Sequence, residues 1–138
     1  MHVYNTQIVE GIEEIAHSLR SLDSSDAARC ILDGWAGVQE WMLQKGISSL
    51  EYQCYTTSRL LQDQFNKFGV NGGILAGDIE IGPHDYLEHR ANLVRTEKYF
   101  AFVDLASRQF REVDGFMLIS PPVPEDMKAA LAAEYRWL

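Results

Sequence analysis

Long apolar runs are missing from this chain of 138 residues. No stretch approaches the roughly 20 residues that a membrane-spanning helix needs, so no membrane span is expected. Cysteine is scarce, with Cys30 and Cys54 the only two. A disulfide framework in so small a chain needs more; a lone Cys30–Cys54 bridge is the alternative to two free thiols. Basic residues are few: 12 Lys and Arg stand against 20 Asp and Glu, a formal net charge of −8. Nucleic acids and anionic membranes are held by clustered cations. Neither is expected as a partner, although Arg90, Arg95, Lys98, Arg108 and Arg111 lie close in sequence. The stretch from Met1 to Gln7 has no basic segment followed by an apolar one, so no cleaved secretory signal is expected. A cytoplasmic location is the default, with export by a signal-less route left open.

What remains is the composition of an ordinary globular protein: 46% hydrophobic, 11% aromatic and 23% charged residues. The length suits one domain spanning residues 1–138. No internal repeat, low-complexity segment or linker divides it.

The first half of the chain has helical periodicity. Ile8, Ile12, Ile15, Leu19 and Leu22 form one apolar stripe, which predicts a helix over residues 6–22. A second helix is expected from about Asp26 to Lys45, with Cys30 on its apolar face as a small buried hydrophobe and Gly46 as its stop. A third carries Cys54, Leu61, Phe65 and Phe68 and stops at Gly69. Its start has two readings. Ser48 and Glu51 have capping-box spacing, which would put Cys54 in the second turn. A start near Gln53 would put Cys54 at the helix tip, where peptide dipoles favour a thiolate.

After Gly69 the period changes to that of strands. Ile74–Ile81, His89–Arg95 and Tyr99–Leu105 read as strands, with Thr96-Glu97-Lys98 as a hairpin connection. Phe116–Ile119 reads as a last strand. Pro124 at a first helical position, followed by Glu125 and Asp126, begins a final helix. Helices, then a small antiparallel sheet, then a helix make an α+β fold. The Cys54 helix has to pack on the sheet to bury Leu61 and Phe65.

Three residues combine into a chemical hypothesis. Cys54 lies near a helix start, His89 leads a strand, and Asp104 ends the next one. A hairpin about residues 96–98 brings His89 and Asp104 to adjacent strands. A histidine that takes the thiol proton and an acid that orients the histidine are what thiol nucleophilic catalysis requires. The Cys54 backbone N–H is the obvious donor to an oxyanion, with Gln53 as a second candidate. His84 is the rival base, but it sits in the Gly82-Pro83 loop. Asp78, His84, Asp85 and His89 match no recurrent zinc spacing, and Gly72, Gly73 and Gly77 lack the lysine context of a phosphate loop. No cofactor or metal is implied. Trp35, Trp41 and Trp137 read as core or interface anchors.

In order and spacing, these motifs resemble the transglutaminase-like and papain-like Cys-His-Asp superfamily, in its small bacterial form. The resemblance covers Gln53 to Phe110. It rests on C-x-x-x-S-x-x-L from Cys54 to Leu61, on His89 at a strand start, and on V-D-L-A-S-R-Q-F from Val103 to Phe110. It departs at Tyr55, where animal transglutaminases have tryptophan, at Ala91, where they have an aromatic, and at Ser48, where papain-like enzymes carry an oxyanion glutamine. The resemblance implies Cys54 as nucleophile, His89 as base and Asp104 as orienting acid. Gln53, Ser58 and Gln109 become candidate substrate or oxyanion residues. The implied activity is a thiol-dependent hydrolase or acyltransferase (protease, deamidase or transglutaminase) acting on a protein or peptide amide. A binding or scaffold protein that keeps the fold without turnover is the alternative, and a secreted effector or toxin domain is a third.

Overall fold

The computed structural model describes residues 5–138. A five-stranded, wholly antiparallel sheet in the order β1-β5-β4-β3-β2 divides two helical layers. The strands are β1 (Gln7–Glu10), β2 (Gly72–Gly82), β3 (Asp85–Arg95), β4 (Phe100–Asp104) and β5 (Phe116–Ser120). On one face lie α1 (Ile12–Ser21), α2 (Ser25–Lys45) and α3 (Cys54–Phe68); on the other lies α4 (Pro124–Tyr135). The fold is α+β.

Strand alternation explains the layering. Ala101, Val103, Met117 and Ile119 point into the core shared with α1, α2 and α3. Their neighbours Phe102, Phe116 and Leu118 point to α4, where Met127, Leu131 and Tyr135 meet them. Because both faces are covered, β4 and β5 are apolar over Phe100–Val103 and Phe116–Ile119, and every residue of β5 is buried.

The expected helix over residues 6–22 is corrected. Gln7–Glu10 instead form an edge strand paired with β5, and the helix begins only at Ile12. Gly11 separates the two at φ 102, a conformation that breaks a helix and that glycine adopts without strain. The apolar stripe there was real, but the open edge of β5 recruited its first residues. The capping-box reading of Ser48 and Glu51 is also corrected: Ile47–Gln53 is not helical, and the Ser49 hydroxyl accepts the Glu51 N–H at 3.1 Å. The helix starts at Cys54, with Gln53 as its N-cap.

Close packing positions α3. Gly34 of α2 lies against Leu61; an added Cβ would come 3.1 Å from its Cδ1. On the other side α3 packs on β3 and β2. The buried Asn92 side-chain amide donates to the Ser58 carbonyl at 2.9 Å. Among the described residues no helix is long and apolar enough to cross a membrane.

Candidate active site

Cys54 is the first residue of α3 and is half-buried. The Gln53 side chain makes no capping hydrogen bond to the first-turn N–H groups. Cys30 differs in every respect. It is fully buried within α2, its thiol donates to the Gln64 carbonyl at 3.4 Å, and burial, aided by Asp26 and Asp33, pushes its pKa up to about 11. The two cysteines are free thiols, so no Cys30–Cys54 bridge forms.

His89 and Asp104 come together as the hairpin argument requires, with a different register. Asn92 pairs with Val103 and Leu93 with Phe102. Continued by count, that register sets Asp104 opposite Ala91, two residues from His89 along the same face. The contact is therefore diagonal: His89 Nε2 lies 2.7 Å from Asp104 Oδ2, and both side chains are buried.

Beyond Asn92, β3 stays paired with β2 but parts from β4. Near this stretch the Cys54 thiol is close enough to the His89 ring for the two to shift each other's pKa, and the Arg90 backbone N–H also favours the thiolate. The Arg90 guanidinium also stacks on Tyr55, 4.7 Å from the ring centroid. With Nε2 committed to Asp104, Nδ1 is the ring nitrogen left for the thiol; it is buried and has no hydrogen-bond partner among the described residues.

Electrostatics follow from this arrangement. Burial raises the Cys54 pKa, but His89 and the Arg90 N–H outweigh it, and the thiol ends below its ordinary range. Burial lowers the His89 pKa, but the hydrogen bond to Asp104 and the contact with Cys54 outweigh it and lift it to about 9. Both shifts favour the thiolate–imidazolium pair.

Asp104 is held on both oxygens. Oδ1 accepts the Ala106 N–H at 2.9 Å, and Oδ2 accepts from His89 and from the Tyr135 hydroxyl. Around the imidazole stand Phe110 (centroid distance 4.7 Å), Tyr135 (6.4 Å) and Trp137 (6.2 Å).

The other candidates divide. Ser58 is buried, and its hydroxyl donates to the Tyr55 carbonyl within its own helix. Gln53 stands beside the thiol as the helix cap. Gln109 follows Asp104 in a short 3-10 turn, and its buried Oε1 has no partner. It lines a cavity of about 670 Å³ with Trp35, Met42 and Leu50. Leu50 also belongs to a small buried cluster against which Cys54 packs. His84 is exposed in the β2–β3 turn. Among the described residues no three His, Cys, Asp or Glu side chains converge as a metal-ligand set.

Sequence reasoning missed Tyr135 and Trp137 as neighbours of the site. Tyr135 was legible only as part of the apolar stripe of α4, and nothing local links it to an acid 31 residues earlier. A weak signal for Trp137 was Gly77: an added Cβ there would meet the indole at 2.6 Å, so the strand needs glycine opposite His89.

Compared with known protein families, curated proteins and solved structures, the chain shows no match.

Proposed function

We propose that this protein is a thiol-dependent hydrolase or acyltransferase that acts on an amide through a Cys54 thioester. One observation carries the reading: a helix-tip thiol with a lowered pKa neighbours a buried imidazole with a raised one, and that imidazole is hydrogen-bonded to a buried carboxylate. The transglutaminase-like and papain-like resemblance supports the same roles and suggests a protein or peptide substrate.

The chemistry is as follows. The thiol proton resides on His89, and Asp104 holds the imidazolium. The thiolate adds to the amide carbon, forming a C–S bond while the carbonyl π pair moves to oxygen. First-turn N–H groups of α3 are the available donors to that oxyanion. Collapse breaks the C–N bond, and the imidazolium proton goes to the departing amine. Water or a second amine then gives a proton to His89, attacks the thioester, and releases the thiolate. Water gives hydrolysis or deamidation; an amine gives acyl transfer.

The test is iodoacetamide labelling of Cys54 and Cys30 from pH 5 to 9, followed by mass spectrometry, on wild type and His89→Ala. Fast Cys54 labelling at pH 5–6 that disappears in His89→Ala is the expected result, because an ordinary thiol with a pKa near ~8.5 is almost wholly protonated there. Slow labelling that rises only above pH 8 in both proteins would overturn the reading and leave a binding module of the same fold. Cys30 serves as the internal control.

A further inference from the structure

The three-residue set leaves one contact unexplained. Tyr135, the last residue of α4, sends its hydroxyl to the Asp104 oxygen that already faces His89. A buried tyrosine needs some acceptor for its O–H. This one is a buried carboxylate with no cation of its own besides the imidazole. We propose that Tyr135 is a positioning residue for the Cys54–His89–Asp104 set, holding the carboxylate in place and aimed at His89. The inference rests on the thiol-enzyme reading above and extends it by one residue.

The physical reason lies in the burial of the pair. An acid and an imidazole out of water can share the proton in two ways, as carboxylate with imidazolium or as neutral acid with neutral imidazole. Low dielectric favours the neutral form. Hydrogen-bond donors to the carboxylate reverse that preference, because they stabilise only its charged state. Asp104 has three: the Ala106 N–H, the His89 ring and the Tyr135 hydroxyl. The thiolate needs an imidazolium beside it. Tyr135 therefore acts on Cys54 through two intervening groups.

The fold delivers this hydroxyl by a specific turn. Arg136 adopts a left-handed conformation, φ 54, and ends α4. The chain then doubles back so that Trp137 bridges to Ile79 of β2. Tyr135 and Trp137 are thereby set around His89. Besides its chain neighbours Glu134 and Arg136, a charge near Tyr135 is Arg111, whose guanidinium lies 5.5 Å from the tyrosine ring centroid. It donates to the Glu134 carbonyl and pairs with Glu10 at 3.6 Å, so it is engaged away from Asp104.

The experiment is the pH profile of Cys54 labelling in wild type and Tyr135→Phe, each with its melting temperature. Loss of the hydroxyl removes one donor from the charged form of Asp104. The acid limb of the profile is expected to move up by about one pH unit, so labelling near the foot of that limb falls about tenfold, with the rate above pH 9.5 unchanged. A purely structural role would lower the melting temperature and leave the limb in place. Should Tyr135→Phe fail to fold, 3,5-difluorotyrosine placed at position 135 keeps the shape and donates more strongly; it is expected to move the limb the opposite way. A wild-type limb that depends on His89 but does not move in either variant overturns the role of Tyr135 alone. A wild-type protein with no acid-side reactivity overturns both this inference and the thiol-enzyme reading.

Discussion

Asn92 and Ser58 brace the site: the Asn92 side chain donates at 2.9 Å to the carbonyl of Ser58, one helical turn beyond Cys54. Asn92 lies three residues after His89 on β3, so one hydrogen bond ties the thiol-bearing helix to the histidine-bearing strand. Asn92→Leu is expected to remove the brace and leave that second acceptance by the carbonyl unmade. The stability loss should be about 1–3 kcal/mol in urea unfolding. Cys54 labelling at pH 6 should slow as well. A variant that unfolds earlier but labels at the wild-type rate would show that the brace stabilises the fold without setting the thiol.

Asp104→Asn tests the proposed orienting acid directly. The amide keeps the size of the side chain but removes its charge, so the main force holding the His89 pKa up against burial is lost. Labelling of Cys54 at pH 6 is expected to fall about 100-fold or more, the range of general acid–base contributions. Labelling at pH 9.5 should stay within a factor of a few. A flat response at pH 6 would remove Asp104 from the chemistry.

Stability should carry the histidine's signature once the thiol is removed. The folded pKa of His89 is raised from 6.5 to about 9 by Asp104 and Cys54 against burial. A raised base contributes stability that is fully present below its unfolded pKa and is lost as pH climbs through the folded one. Cys54 has the opposite sign, since its lowered pKa contributes at alkaline pH and is lost as pH falls. In Cys54→Ala only the His89–Asp104 part remains. Its melting temperature is therefore expected to drop as pH rises above about 6.5, and Cys54→Ala/His89→Phe should lack the drop. Equal slopes in the two proteins would contradict the assignment.

Gly77→Val is expected to act at a distance from the thiol. Gly77 pairs with His89 across the β2–β3 ladder, and its missing Cβ is where the Trp137 indole sits. A valine must push the indole away, at a cost of about 1–3 kcal/mol for overpacking. Because Trp137 also stands 6.2 Å from the His89 ring, its fluorescence and the Cys54 labelling profile should shift together. A normal profile with displaced tryptophan would mean that the indole serves only the core.

Much of the fold was legible from local periodicity. The helix carrying Cys54 ends at Phe68 with Gly69 in the left-handed conformation, where the stop signal stands. The β3–β4 hairpin turns where Thr96-Glu97-Lys98 interrupts the apolar alternation. The stretch before Gly11 read wrongly because Ile8 fits a helical stripe and a strand equally well. The choice was made by the open edge of β5, a partner more than 100 residues away in sequence.

The sequence by itself determined the candidate chemistry: a thiol at a helix start, a histidine opening one strand and an acid closing the next. Those are local facts, set by residue type, period and turn signals. Tertiary structure alone decided how they meet. It set the diagonal register of His89 on Asp104, the parting of β3 from β4 beyond Asn92, and the arrival of Tyr135 from the far layer. Each depends on which faces become buried together, and burial is a property of the packed chain, not of any window along it.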